Sequence, residues 1–287
     1  MPGPRPHRPR VTRAATVTGS EWLTRDLVRL HLTGPDLASL ESPAHTDSYV
    51  KLLFAPPGAD DSWPFDPDRI QAERPREQWP VTRTYTIRRL DPARAEMDLD
   101  VVVHGEAGLA GPWAASARPG QTIGFRGPGG AWSPDPGADH HLLVGDESAY
   151  PAIAAALDAL PDDARASVFL EVADVTAHPP LRQGPGIRVS WVHRAGADGA
   201  ATAPGAALAA AVRSADLPAG DLRAFVHGNA EMIKDLRRYL LVEQGLPRDR
   251  VSISGYWRTG QTEDAWQAGK REFVVQMERE QDGAAAG

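Results

Sequence analysis

Apolar and polar residues alternate through the first half of this chain and run together in the second. Val28-Arg29-Leu30-His31-Leu32 alternates as a strand with one buried face does, and Gly34-Pro35-Asp36 turns the chain behind it. Tyr49 to Phe54 reads as a second strand, ended by Pro56-Pro57-Gly58. Residues 59–80 are rich in Pro, Asp and Trp and read as a long loop. Thr82 to Arg89 and Met97 to His104 are two more strands, parted by a turn near Asp91-Pro92. Thr122 to Arg126 follows Pro119-Gly120 and closes at Gly127-Pro128-Gly129-Gly130. Short strands at this spacing predict an antiparallel barrel.

The period changes after Pro134-Asp135-Pro136-Gly137. His141 to Val144 is a short apolar strand preceded by His140, and we read the two histidines as linker residues. An Ala-rich helix, Pro151 to Leu160, comes next. Ala166 to Val172, Ile187 to Val192, Ala224 to His227 and Val251 to Ser254 are further strands. Residues 195–211 read as a loop running into a short helix. Asn229 caps a helix whose apolar face is Met232, Ile233, Leu236, Tyr239 and Leu240, stopped by Gly245 and Pro247. Strands alternating with helices predict a parallel sheet. The expectation is a two-domain α+β chain, an antiparallel six-stranded β-barrel over 9–137 and a parallel-sheet α/β domain over 138–287 with a helical tail.

Composition removes several function classes. The chain of 287 residues carries a formal net charge of −7, which argues against nucleic-acid binding. No apolar run is long enough to cross a bilayer, and the opening MPGPRPHRPR has no apolar stretch behind its charges, so it reads as a disordered lead rather than a secretory signal. The cysteine count is zero, which excludes disulfides, thiolate zinc sites and cysteine-ligated iron–sulfur clusters and fits a cytoplasmic protein. No His-Glu-x-x-His spacing is present, so no metal site is expected. Redox chemistry in such a chain needs a bound organic cofactor or a metal held by ligands other than cysteine.

Five segments carry candidate chemistry. Arg83-Thr84-Tyr85-Thr86 puts a fixed cation, a flat ring and a hydroxyl on one strand, with Arg83 and Tyr85 on one side and Thr86 on the other. Arg83 can fork onto a pyrophosphate, Tyr85 can stack on a planar ring and Thr86 can hydrogen-bond a ring nitrogen, the needs of a flavin dinucleotide. An ordinary strand with an exposed arginine is the plain alternative. His104-Gly105-Glu106-Ala107-Gly108-Leu109-Ala110-Gly111-Pro112-Trp113-Ala114 lets backbone approach a phosphate, or is a glycine-rich turn. Gly145-Asp146-Glu147, and Gly228-Asn229 after a later strand, lie where ligands bind in open α/β sheets, or are plain βα loops. Lys51 interrupts an apolar strand, so it either snorkels from an edge strand or faces a polar cleft. Gly255-Tyr256-Trp257-Arg258, with Lys270 and Arg271 beyond, offers rings and cations for an anion, or a tail helix packed through Trp266 and Phe273. Arg194 can meet a 2′-phosphate and Glu171 a ribose hydroxyl, which leaves NADH and NADPH both open.

In this order the motifs resemble the siderophore-interacting protein family of flavin-dependent ferric-siderophore reductases, from about Pro9 to Phe273. The segments that carry the resemblance are Arg83 to Arg89, His104-Gly105 with Trp113-Ala114, Gly145-Asp146-Glu147 with Pro151-Ala152-Ile153, and Gly255 to Arg258. The resemblance implies an FAD-binding barrel and an NAD(P)H-binding α/β domain akin to ferredoxin reductases. It places flavin contacts on Arg83, Tyr85, Thr86, Ile87, Arg88, His104, Gly105, Gly108, Ala110, Trp113 and Ala114, with Tyr85 and Thr86 nearest the chemistry. It places the nicotinamide donor at Gly145, Asp146, Glu147 and Gly228, and an anionic ferric siderophore at Lys51, Arg258 and Lys270. The chain is expected to be a monomer without membrane insertion, with its oligomeric state left open by the sequence. A reductase serving a protein acceptor and a non-catalytic siderophore-binding protein are the competing readings. Two departures from the family pattern stand out: Gly108-Leu109-Ala110 replaces Gly-Pro-Ala, and Tyr150 fills a slot usually held by a smaller aliphatic residue.

Overall fold

Six strands close into a barrel in a computed structural model that describes residues 11–56, 58–59, 63–105, 108–195 and 202–285. The strands are β1 (Thr12–Thr24), β2 (Leu27–Thr33), β3 (Tyr49–Phe54), β4 (Val81–Asp91), β5 (Glu96–Val102) and β6 (Thr122–Gly129), in the order β1-β2-β5-β4-β3-β6 around the barrel. Pairings of β1 with β6, β6 with β3, β3 with β4 and β4 with β5 are antiparallel. Alternate residues of each strand turn inward, so Val17, Leu32, Val50, Leu52, Leu99 and Phe125 meet in one core. Each such side chain contributes about 1.5–3 kcal/mol on leaving water. Three short helices decorate the barrel: α1 (Pro35–Ala38), α2 (Pro67–Glu73) and α3 (Ala110–Ala115).

Arg29 on β2 reaches Asp100 on β5 through two hydrogen bonds of 2.7 and 2.9 Å. Burial still pushes the Asp100 carboxyl above its ordinary range, because desolvation outweighs the guanidinium beside it.

The second sheet holds β7 (His140–Asp146), β8 (Ala166–Val172), β9 (Ile187–His193), β10 (Leu222–Asn229) and β11 (Val251–Trp257). Its order is β11-β10-β7-β8-β9, with every neighbour parallel. The chain moves from β7 outward to β9 and then returns to the other side of β7, which creates a switch point between β7 and β10. Helices α4 (Tyr150–Ala159), α5 (Ala206–Arg213) and α6 (Ala230–Arg237) connect the strands, and α7 (Glu263–Ala285) ends the described chain. One face of the sheet buries Leu142, Val144, Ala224 and Val226 against Leu208, Ile233 and Leu236 of α5 and α6. Asn229 caps α6, its side-chain oxygen accepting from Glu231 N–H at 2.9 Å. The helix then widens into a π-helical segment, Arg238–Glu243, and stops before Gly245 at φ 67°.

The chain divides into two compact units: residues 1–21, 29–44 and 48–130, and residues 22–28, 45–47 and 131–287. Several expectations change. The long strand β1 carries few buried residues, Ala15 and Val17 among them, so its apolar period is faint. The loop expected over 59–80 contains α2, whose N-terminus is fixed by Asp66 accepting from the N–H groups of Asp68 and Arg69 at 3.0 Å each, followed by a 3₁₀ turn at Arg76–Gln78. His140 and His141 are not linker residues: they open β7 and pair with β10, where a parallel ladder satisfies their backbone. Lys51 is not on an edge, since β3 lies between β4 and β6. The charged opening MPGPRPHRPR, Glu106, Ala107 and residues 196–201 of the expected loop lie outside the described residues.

Candidate functional site

The barrel brings its candidate residues onto β4 and onto the segment running from the end of β5 into α3. Register sets Arg83 opposite Leu52 and Tyr85 opposite Val50, on the side whose partners are fully buried. Tyr85 packs on the barrel core, and the Arg83 guanidinium donates to the Thr82 carbonyl at 2.9 Å. Thr86 is buried opposite Tyr49, Ile87 is buried in the core, and Arg88 is half-buried. Across β3, Lys51 pairs in register with Thr84 and Arg126 and points to solvent. Arg126 is neutralised by Asp68 at 2.6 Å, whereas Lys51 makes no ion pair among the described residues.

Beyond β5 the chain passes through exposed His104 and Gly105 to Gly108 and α3. Gly105 (φ 59°) and Gly108 (φ 84°) occupy the left-handed region, and a Cβ added at either would meet nothing within 4 Å. The backbone there faces open space and can be approached closely. Ala110 and Ala114 are buried on the barrel core, and Trp113 meets Phe54 edge to face at 5.6 Å and 76°, which fixes the indole. A cation, a hydroxyl and an aromatic ring on one strand, with an open glycine loop resting on the same core, form a donor set that fits an anionic dinucleotide carrying a flat ring.

In the parallel sheet the segment after β7 is organised by Asp146. Its buried carboxylate accepts from the Ser148 N–H and hydroxyl, from Asn229 N–H at 2.9 Å and from Trp257 Nε1–H at 2.8 Å, tying together the carboxyl ends of β7, β10 and β11. Two glycines make room for this. A Cβ on Gly228 (φ 137°) would lie 2.6 Å from Asp146 Oδ2, and one on Gly145 would lie 2.8 Å from the His227 carbonyl oxygen. The sequence places these glycines at a ligand's approach; the structure gives each a packing reason.

Glu147 is buried and grips Arg194, Oε2 accepting from Nη1 at 2.7 Å and Oε1 accepting from Nη2. Arg194 also lies 3.5 Å from Glu171, whose two oxygens accept from Gly205 N–H at 3.0 Å. Burial raises the Glu171 carboxyl above its ordinary range. For Arg194, the carboxylates outweigh burial and hold it more firmly charged. Arg194, expected to meet a 2′-phosphate, is engaged by Glu147, and Glu171, expected to hold a ribose hydroxyl, accepts from Gly205 N–H.

Arg258 and Lys270 are engaged as well. Arg258 pairs with Glu231 at 2.8 Å and lies 5.1 Å over the Phe273 ring. Lys270 is half-buried on α7, donates to Ser254 Oγ at 3.0 Å, and has its ammonium pKa lowered by burial. Sequence reasoning gave His227 no chemical role. It is buried, stacked on Phe225 at 3.8 Å, edge-on to Tyr256, and hydrogen-bonded through Nε2 to Ser252 Oγ at 3.0 Å. Burial, helped by Lys270, holds it neutral, its pKa pushed down to about 3. A histidine between a valine and a glycine in an apolar strand was the available signal.

Residues 16–132 match the siderophore-interacting FAD-binding domain, and residues 138–260 match the siderophore-interacting protein model. The chain is 41% identical to an uncharacterised protein of Mycobacterium tuberculosis over 91% of its own length and 95% of that protein. It is 33% identical to the ferric vibriobactin reductase ViuB of Vibrio cholerae, over 86% of this chain and 89% of the relative. Among solved structures, a siderophore utilization protein from T. fusca superposes with a TM-score of 0.76 at 35% identity, covering 89% of this chain and 96% of the other.

Proposed function

We propose that this chain, which belongs to the siderophore-interacting protein family, is an FAD-dependent NAD(P)H:ferric-siderophore reductase that releases iron as Fe(II). The observation that carries the proposal is β4, where Arg83, Tyr85 and Thr86 share a strand whose core also seats the open loop at Gly105 and Gly108. The V. cholerae relative, named for reducing ferric vibriobactin, supports a ferric chelate as acceptor.

FAD, when bound, supplies the conversion of a two-electron hydride donor into single electrons for Fe(III). The chain's own part is binding and orientation. Arg83 neutralises a pyrophosphate, its planar fork fixing the angle of approach, and Arg88 further along β4 adds a second cation. Tyr85 presents a ring held by the core behind it, Ile87 closes that core, and Thr86 donates its hydroxyl at the reacting edge. His104, Gly105, Gly108, Ala110, Trp113 and Ala114 shape the opposite wall. In the domain proposed for 138–287, Gly145, Asp146, Glu147 and Gly228 form the crest at which the nicotinamide donor docks. Asp146 acts there by holding three strand ends in register. Lys51, exposed and without an acidic partner among the described residues, draws in an anionic ferric siderophore; Arg258 and Lys270 assist once released from Glu231 and Ser254. Fe(III) bound by hard oxygen donors is held less strongly once reduced, so the electron itself loosens the chelate. The reaction belongs in the cytoplasm, where reduced nicotinamide is supplied.

The test supplies purified protein, FAD and reduced nicotinamide with either a ferric siderophore or a protein acceptor, and traps Fe(II) with a coloured chelator. Rapid Fe(II) release from the siderophore is expected, falling with flavin content in Arg83→Ala. Turnover confined to the protein acceptor would replace the proposal with a general flavin reductase. Siderophore binding without flavin would leave a carrier.

A further inference from the structure

The carboxyl ends of β7, β8 and β9 carry a charge pattern that the proposed reduction does not itself require. Glu147 follows β7, Glu171 ends β8 beside Asp146 in the register, and Arg194 follows β9. This is the edge at which an adenosine ribose lies in dinucleotide-binding sheets, where an acidic residue suits a free 2′-hydroxyl and an unengaged arginine suits a 2′-phosphate. Here the arginine is spent. Arg194 is held by both oxygens of Glu147 and lies 3.5 Å from Glu171, so the three side chains together are at most neutral, and one charge negative with both carboxylates ionised.

Among the described residues, the other cations near these strand ends are also committed. Arg25 pairs with Asp174 at 2.6 Å. Arg182 is drawn to the far end of the sheet, where it caps the Leu157 and Leu160 carbonyls of α4 and meets Asp162 at 2.6 Å. His178 and His193 meet Nε2 to Nε2 at 2.8 Å with ring centres 5.1 Å apart, so both nitrogens lie on the line between the rings. That head-to-head contact turns both Nε2 atoms toward each other rather than toward a ligand. Residues 195–205 contain no lysine or arginine, and Asp198 is their charged residue.

We infer that the electron donor is NADH rather than NADPH, because Glu147 and Glu171 occupy the one arginine placed to take a 2′-phosphate. This rests on the nicotinamide-dependent reading above. A dianionic phosphate brought to this edge gains no free cation among the described residues and meets two buried carboxylates, which disfavours it by at least about tenfold.

The test is calorimetric titration of the full chain with ADP-ribose and with 2′-phospho-ADP-ribose, neither of which can transfer a hydride, alongside kcat/KM for NADH and NADPH. Binding of ADP-ribose at least about tenfold tighter, and the same order in kcat/KM, is expected. Glu147→Gln leaves Arg194 with one carboxylate fewer and is expected to narrow the gap by strengthening the 2′-phosphorylated ligand. Equal or tighter binding of 2′-phospho-ADP-ribose by the unaltered protein overturns the inference and leaves the reductase standing. A preference for ADP-ribose unchanged in a folded Glu147→Gln protein overturns the role of this cluster. If neither ligand binds and neither nucleotide reduces the protein, the nicotinamide reading falls and takes this inference with it.

Discussion

Gly228 shows how closely single positions are specified. Its φ of 137° already lies where L side chains are strained, and a Cβ there would press 2.6 Å from Asp146 Oδ2. Gly228→Ala must strain the backbone or push the carboxylate from Asn229 and Trp257. The expected cost is about 2–4 kcal/mol, read as a fall in the denaturant midpoint at unchanged slope. A loss below about 0.5 kcal/mol would show that Asp146 does not hold the strand ends together. Gly145-Asp146 and Gly228-Asn229 were legible as βα junctions from glycine after an apolar run. That the aspartate of one junction receives the N–H of the other was not, because strand order is set by long-range pairing that no local spacing encodes. Arg83 and Tyr85 were legible on one side of a strand from the period of two alone. The commitments of Arg194, Arg258 and Lys270 were hidden, since their partners Glu147, Glu231 and Ser254 arrive from other elements.

At the scale of elements, β10 carries an acid sensitivity into the sheet. His227 is neutral when folded, with its pKa held near 3 by burial, and takes up a proton on unfolding at any pH below its ordinary value of about 6.5. Stability is therefore full above about 6.5 and is lost as pH falls toward about 3, by up to about 1.4 kcal/mol per pH unit from this group. Burial lowers His140, His141 and His178 in the same direction. Urea unfolding at about pH 7.5 and about pH 5 should show a loss in the unaltered protein that is smaller in His227→Gln. An identical loss in both would remove His227 as its source. Elements with a strong period, such as β3 and α4, were legible nearly to their ends. Strand β1 was not, because Ala15 and Val17 are its only fully buried residues among neighbours such as Thr16, Thr18 and Ser20, which leaves little apolar contrast. Helix α2 was missed although Asp66-Pro67-Asp68 is a start signal, since the prolines around it read as loop.

At the scale of the whole molecule, the chain comprises a barrel whose β4 carries a cation, a ring and a hydroxyl, and a parallel sheet with a dinucleotide-type switch point. Two domains and their fold classes follow from one change of apolar period near Pro134 to Gly137, because antiparallel and parallel sheets bury different numbers of faces. Against a net charge of −7, the proposed role of Lys51 in drawing in an anionic chelate rests on local rather than overall charge. The most direct test is an anaerobic absorbance titration of the flavin-loaded protein. Reduced nicotinamide should bleach the visible flavin band, and a substoichiometric ferric siderophore should restore colour in proportion to Fe(II) formed, two irons for each flavin reoxidised. A band that bleaches and stays bleached in excess ferric siderophore would contradict the account.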